Sequence, residues 1–271
     1  MRNKIYYILL FSIFFSVNIY AKKGVYIDMK VKVGKIEMYI INTNYYDITF
    51  KYDSVYEGTL CLDNLPFKGV LNANSKIKVA SFMMVDKKYT FKNKFRWVIG
   101  NKYKRHNNRH IYSLPYKINT SQQVTQGFNG KFSHKGNSQY AIDFGLKVGT
   151  RIYASRGGIV VLIKSDGSLH GTQEKHKKEA NYITIKHSDG TYAKYAHLKK
   201  GGVKVKVGQK VSQGEFIGYS GNTGYTNGPH LHMVVFTGKD YKSRKSIAIK
   251  FKTKQGILTE PIRGKRYIAV K

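Results

Sequence analysis

One stretch near the middle of the chain decides the fold class: Tyr182-Ile-Thr-Ile-Lys-His187, then Ser188-Asp-Gly190, then Thr191-Tyr-Ala-Lys-Tyr-Ala-His-Leu198. The first and third segments are rich in β-branched and aromatic residues, a composition typical of strands. The Asp-Gly pair between them suits a tight hairpin turn. The stretch therefore predicts two antiparallel strands joined by a short turn.

The sequence on either side of this hairpin continues the pattern. Gly158–Lys164 is a strand candidate that ends in a Ser-Asp-Gly turn, and Val207–Gly218 repeats valine and glycine at strand-and-turn spacing. Ser168–Glu179 is a polar, lysine-rich insertion that predicts a mobile loop. From Tyr116 onward, the chain predicts a folded antiparallel sheet with an open cleft and exposed loops at one end.

The first half of the chain also has strand-like runs and no helical periodicity. Its runs have the spacing of a small β-sandwich. They are Val25–Ile27, Ile36–Ile41, Asp47–Tyr52, Lys76–Val85 and Phe95–Ile99. The sequence thus predicts an all-β protein with a β-rich N-terminal domain over residues 22–115 and a second domain over residues 116–271. We expect the first domain to position or partly cover the cleft of the second.

The charge of the chain restricts its partners. It has 271 residues, with 48 Lys and Arg against 15 Asp and Glu, a formal net charge of +33. This excess disfavours an acidic or neutral cytosolic enzyme and indicates an anionic partner, which is a nucleic acid, a membrane surface or a cell-wall polymer. An apolar content of 41% excludes a disordered tail.

The N-terminal segment favours the cell envelope among those partners. Met1–Lys4 is basic, Ile5–Val17 is apolar apart from two serines, and the segment ends at Ala21. This is the pattern of a secretory signal peptide over residues 1–21, although an uncleaved anchor stays an alternative. We therefore expect export to the periplasm, the cell surface or the medium, with no nucleic-acid partner and no later transmembrane segment. The single cysteine, Cys61, can form no internal disulfide.

Three motifs in the second half carry the chemistry. Gly228–Phe236 contains His230 and His232, and residues two apart on a strand point to the same face. Such a pair suits one metal ligand beside one proton-transfer group, or two polar residues on a solvated face.

In Ser133–Phe144, His134 precedes Asp143, which lies between two apolar residues. Asp143 needs a counter-charge or a metal if it is buried, and otherwise it points to solvent. The third motif is Tyr192–Leu198, in which strand alternation places Tyr195 and His197 on one side.

Taken together, the motifs predict a zinc site. Two histidines and a carboxylate suit Zn²⁺, and three protein ligands leave a fourth position for water, as in catalytic sites. Two further histidines remain for proton transfer. Rival motifs are absent: there is no His-Glu-x-x-His, no phosphate-binding glycine loop, and Gly218–Asn222 lacks the last glycine of a nucleophile elbow.

The combined motifs resemble the lysostaphin/LytM-type zinc endopeptidases over roughly residues 120–237. The resemblance rests on Gln126–Gly130, Ser133–Phe144, Tyr195–Leu198 and Gly218–His232, which occur in the order of that family. The spacing from His134 to Asp143 is longer than the compact His-x-x-x-Asp form. It is similar to a branch of cell-wall peptidases that carries a β-rich N-terminal domain.

The resemblance implies a role for each of five residues. His134, Asp143 and His232 would bind one Zn²⁺ per chain, and His197 and His230 would be the catalytic pair. His230 would act as the general base and His197 would stabilise the oxyanion or the leaving amine, although these two roles are exchangeable.

The implied function is an exported zinc metalloendopeptidase that hydrolyses peptide cross-links or stem peptides of peptidoglycan at an anionic cell-envelope surface. The alternative is a catalytically silent wall-binding or regulatory protein on the same scaffold.

Overall fold

The structure is a computed structural model, and it describes residues 24–271, so the signal peptide predicted over residues 1–21 lies outside the described residues. Strands dominate this range, and its helical elements are two 3₁₀ turns at Gly136–Ser138 and Glu174–Glu179. The all-β prediction is confirmed. No helix between residues 24 and 271 has the length and apolar character needed to cross a membrane.

The first half forms two sheets that pack face to face. Its strands are Val25–Lys32 (β1), Lys35–Asn42 (β2), Ile48–Glu57 (β3), Thr59–Cys61 (β4), Phe67–Leu71 (β5), Ser75–Met84 (β6) and Thr90–Ile99 (β7). One sheet has the order β1-β2-β6-β4 and the other has the order β5-β3-β7. Buried aliphatic and aromatic residues from both sheets form one core, as the alternating strand pattern predicts.

The second half is built on an eleven-stranded sheet. The strands of this half are Ile111–Ser113 (β8), Ser121–Gln126 (β9), Ile142–Gly145 (β10), Arg151–Tyr153 (β11), Gly158–Lys164 (β12), His170–Gly171 (β13), Asn181–Lys186 (β14), Tyr192–Val203 (β15), Lys210–Val211 (β16), Phe216–Ser220 (β17), Gly224–Tyr225 (β18), Leu231–Gly238 (β19), Arg244–Ile247 (β20), Lys250–Thr253 (β21), Gly256–Leu258 (β22) and Arg266–Ile268 (β23). The large sheet has the path β16-β12-β14-β15-β19-β10-β9-β23, with β11, β17 and β20 attached to it. The predicted hairpin is the antiparallel pair β14 and β15.

The polar insertion Ser168–Glu179 has more structure than a mobile loop. It contains β13, which pairs in parallel with β18, and the second 3₁₀ turn. Pairing with a strand some fifty residues later is a nonlocal feature that the composition of the insertion does not reveal. The insertion consequently forms part of the wall of the cleft described below.

The two halves meet closely. Tyr112 and Leu114, which the sequence assigns to the first domain, are buried in the core of the second half, and β8 pairs with β21. Val234 and Phe236 of β19 are buried instead with residues of the first half. The N-terminal sandwich therefore covers one end of the central sheet.

Polar contacts also fix this junction. The Asp47 N–H donates to the Tyr192 hydroxyl at 3.1 Å, and the Asp47 carboxylate accepts from Lys186 Nζ at 2.9 Å. Asp47 is 4% exposed, so its charge needs this cation.

Candidate active site

Three of the predicted site residues meet on adjacent parts of the central sheet. Asp143 on β10 is the register partner of His232 on β19, and His134 reaches the same point from the loop before β10. One ligand atom from each residue lies within 4.8 Å of the other two. Across residues 24–271, this is the one group of three or more such side chains with that geometry.

His134 has the hydrogen bonding expected of a metal ligand. Its Nδ1 lies 2.7 Å from the Gly127 carbonyl oxygen, which requires the proton on Nδ1 and leaves a lone pair on Nε2. That Nε2 is buried, lacks a hydrogen-bond partner in the described chain, and faces Asp143 Oδ1 at 3.1 Å. Two electron-rich atoms at this distance repel each other unless a cation lies between them, so the donor set fits a metal ion.

Asp143 is buried and does not point to solvent, the two possibilities that its sequence context leaves open. It is 6% exposed, and its Oδ1 lies 2.8 Å from His232 Nδ1. Burial alone would raise the pKa of this carboxyl, but the hydrogen bond from His232 Nδ1 outweighs burial and holds the pKa below its usual range. The carboxyl is therefore ionised.

Gln126 is a site residue to which the sequence gives no role. Its Nε2 donates to Asp143 Oδ2 at 3.0 Å and to Ser133 Oγ at 2.9 Å, and its Oε1 accepts from the Phe132 N–H at 3.1 Å. It thereby orients the carboxylate and holds the loop before β10. Gln126 ends β9 and precedes Gly127, and this position at a strand end is the sequence feature that could have indicated a role in the site.

His197 reaches the site through a bulge, and the alternation argument for this strand is wrong. Tyr195 lies in the core, with its hydroxyl accepting from the Ser155 N–H at 2.8 Å. His197 has φ of 65°, and the pairing register of β15 with β14 shifts between Ala196 and Leu198. The extra residue turns the His197 ring away from the side of Tyr195 and into the cleft.

His197 and His230 lie side by side, with ring centroids 4.5 Å apart. His197 Nδ1 donates to the Thr223 carbonyl at 2.7 Å, and His230 Nδ1 donates to the Gly228 carbonyl at 2.9 Å. In both rings the lone pair is then on Nε2, and His230 Nε2 lies 3.8 Å from Asp143 Oδ1.

His197 is neutral in this setting. Burial, followed by the neighbouring His230 and His232 rings, lowers the pKa of His197 to about 3. Burial likewise lowers the pKa of His232. Neutral imidazoles are the form in which histidine accepts a proton or binds a metal.

The site opens into a cavity of about 1450 Å³. Its walls are the loop around Phe132, the polar insertion and the loop around Tyr225, and the Phe132 and Tyr225 rings stack with centroids 5.8 Å apart. All of the lining residues fall between 125 and 263. The described part of the N-terminal half thus covers the far end of the same sheet and does not line this cavity.

The remaining histidines stay outside the site. His106 stacks on the Tyr112 ring at a centroid distance of 5.9 Å, and His110 meets the same ring edge to face at 4.9 Å. His170 and His176 belong to the insertion and join no group of metal-ligating side chains between residues 24 and 271.

Comparison with known proteins identifies related peptidases. The model of Peptidase family M23 matches residues 137–244. The chain is 32% identical over 136 residues to peptidoglycan DD-endopeptidase ShyA of Vibrio cholerae, an alignment that covers 48% of this chain and 29% of the relative. It is 37% identical over 98 residues to glycyl-glycine endopeptidase ALE-1 of Staphylococcus capitis, covering 36% of this chain and 24% of that protein.

Among solved structures, the catalytic domain of lysostaphin from Staphylococcus simulans is 25% identical, with a TM-score of 0.33, and the match covers 47% of this chain and 87% of that one. The chain spans less than a third of the length of the two curated relatives above. The second half of the protein carries a domain of peptidase family M23, and the predicted family resemblance is confirmed.

Proposed function

We propose that this protein is an exported zinc metalloendopeptidase that hydrolyses the peptides of bacterial peptidoglycan. The observation that carries the proposal is the convergence of His134, Asp143 and His232, whose ligand atoms lie within 4.8 Å of one another, beside His197 and His230 at one open cavity. We assign the first three residues as the ligands of one Zn²⁺ and the last two as the catalytic pair.

His134, Asp143 and His232 would hold Zn²⁺, which would supply Lewis-acid chemistry: polarisation of the scissile carbonyl and a pKa of about 7 for the attacking water. The residues of the chain supply the proton transfers. His230 Nε2 carries a lone pair beside the ligand cluster, so it accepts a proton from the attacking water and delivers it to the leaving amine.

His197 supports the same step from the neighbouring position. Its ring is neutral, and its Nδ1–H is committed to the Thr223 carbonyl, so its Nε2 can donate only after it gains a proton. Negative charge that develops on the scissile carbonyl favours uptake of this proton from solvent. The protonated His197 stabilises that charge and returns the proton to solvent when the carbonyl re-forms.

The substrate class is supported by the relatives and by the charge. Both relatives named above are endopeptidases, and the name of one of them specifies peptidoglycan. Their names indicate different bonds, so we propose cell-wall peptides as the substrate class and do not specify the bond. A net charge of +33 favours retention at an anionic cell-envelope surface, and the predicted signal peptide would deliver the protein there.

A catalytically silent binding or regulatory protein is the alternative. The presence of all three proposed ligands and both proposed catalytic histidines disfavours it, because a scaffold used only for binding does not require this set.

The test is digestion of purified peptidoglycan fragments by the zinc-loaded protein, with product masses read by mass spectrometry. The proposal predicts new amino and carboxyl ends at one type of peptide bond, and His230→Ala and chelated protein serve as controls. Intact fragments after incubation with protein that contains stoichiometric zinc would favour the silent alternative.

A further inference from the structure

Two basic side chains lie on the same face of the central sheet as the proposed zinc ligands. Lys194 on β15 pairs in register with Val234, two rungs beyond the pair formed by Ala196 and His232 and therefore on the same face. Arg244 on β20 pairs with Gly238 on the same strand as His232, at an even spacing, so it also belongs to this face. Lys194 lines the cavity that contains the site.

These two cations lack acidic partners. Lys194 Nζ lies 4.3 Å from the centroid of the Tyr182 ring, and Arg244 Cζ lies 4.5 Å from that of Phe236. Neither side chain makes an ion pair or donates a hydrogen bond to any residue between 24 and 271. Burial, and after it the charge of Arg244, lowers the pKa of Lys194 to about 8, as expected when no carboxylate compensates the cation.

Holding two half-buried like charges near each other is unfavourable. A cation over an aromatic ring recovers only part of this cost. A group that makes no other interaction in the described chain has its hydrogen-bonding capacity available for a ligand, and an anion is the ligand that also compensates the two positive charges. Lys177, another basic residue of the cavity, differs in this respect, since it pairs with Glu174 at 2.8 Å.

The position of Lys194 indicates how far the anionic group of the substrate lies from the scissile bond. Two residues along a strand span about 7 Å, so Lys194 lies about that distance from the rung that holds His232. An extended peptide that presents its scissile bond to the zinc site brings a group one or two residues away to Lys194. The most direct anion at that place is a carboxylate of the same peptide.

We propose that Lys194, with the charge of Arg244 beside it, forms a carboxylate subsite that selects peptides with a free carboxylate one or two residues from the scissile bond. This inference rests on the proposed function, because it concerns the substrate of the same site. It assigns to the enzyme a preference for peptidoglycan peptides with free acids over those with carboxamides at that place.

The experiment compares two cross-linked stem-peptide substrates that differ only in a free carboxylate or a carboxamide at that position. Turnover by zinc-loaded wild type, Lys194→Met, Lys194→Arg and the control Lys199→Met is measured. Lys199 is exposed and lies on the same strand outside the lining of the cavity. A charged hydrogen bond of about 1.5–3 kcal/mol corresponds to about 10- to 100-fold.

We expect wild type and Lys199→Met to prefer the acid by about tenfold or more in kcat/KM. Lys194→Met should lose that preference through a fall on the acid substrate alone, and Lys194→Arg should retain most of it. Equal kcat/KM for acid and amide in wild type, or an equal fall on both substrates in Lys194→Met, would overturn the subsite.

Binding of the same two peptides to the zinc-loaded protein by calorimetry separates this inference from the proposed function. If neither peptide is cut, the proposed hydrolysis fails. A tighter binding of the acid that Lys194→Met abolishes would still support the subsite, and equal binding of acid and amide would overturn it.

Discussion

Replacing Tyr195 with phenylalanine removes one hydroxyl from β15, the strand that also carries His197. The substitution tests whether this hydroxyl stabilises the core or takes part in the reaction. Tyr195 is fully buried, and its hydroxyl accepts from the N–H of Ser155, which is also fully buried. Phenylalanine would leave that N–H without its acceptor. The cost of an unsatisfied buried donor is about 1–3 kcal/mol, so we expect a loss of about 2 kcal/mol.

Thermal unfolding of the zinc-loaded protein measures this loss. For a chain of this size, about 2 kcal/mol corresponds to a fall in Tm of about 4–8 °C. At 25 °C, kcat/KM for a soluble peptide should stay within about twofold of wild type, because the hydroxyl faces the core. Tyr153→Phe is the control, since the Tyr153 hydroxyl has no hydrogen-bond partner among the described residues.

A different result would refute the reasoning. A fall of about 100-fold or more in turnover with an unchanged Tm would place the Tyr195 hydroxyl in the reaction, as an oxyanion donor. An unchanged Tm with unchanged activity would show that the Ser155 N–H does not depend on it.

Three further predictions concern pH, the junction between the halves, and salt. Burial first of all lowers the pKa of His187 to about 4, below the unfolded value of about 6.5, so the folded protein binds this proton less readily. The free energy of unfolding should be unaffected by His187 above pH 6.5 and should fall by up to about 3 kcal/mol as the pH drops to 4. Denaturant titrations at several pH values measure this dependence, and His187→Asn should lose the part of it that His187 causes. An identical dependence of the free energy of unfolding on pH in wild type and variant would contradict the assignment. The contact of Asp47 with Lys186 predicts a coupling energy of about 0.5–3 kcal/mol in a double-mutant cycle with Asp47→Asn and Lys186→Met, whereas additive effects would mean that this contact does not join the halves. Raising salt from 0.1 M to 1 M shortens the Debye length from about 10 to about 3 Å, so sedimentation of the protein with peptidoglycan sacs should weaken steeply while cleavage of a short soluble peptide changes much less; equal sensitivity would place the basic residues in the catalytic step.

The sequence is sufficient for the features that depend on local pattern. The hairpin around Asp189 forms as its turn residues predict, and residues 228–236 bring His230 and His232 into one cavity. Both results follow from strand periodicity and turn chemistry, which act over a few residues.

Features that depend on residues far apart in the chain could not be predicted from the sequence and are seen only in the structure. The burial of Asp143 follows from its pairing with His232, 89 residues later, and the side chain alone permits either outcome. His197 departs from strand alternation because of a single residue with positive φ, and a bulge has no periodic signature. Val234 and Phe236 are apolar enough to predict burial, but nothing in β19 indicates that the N-terminal sandwich covers them.

The zinc content of the wild-type protein and of two variants tests the central claim most directly. Metal analysis of wild type should give one zinc per chain, and His232→Ala should lose most of it, because two protein ligands remain. His230→Ala should keep about one zinc per chain while peptide turnover falls by about 10²- to 10⁴-fold. Loss of zinc in His230→Ala with retention in His232→Ala, or wild type that binds no zinc, would contradict the account.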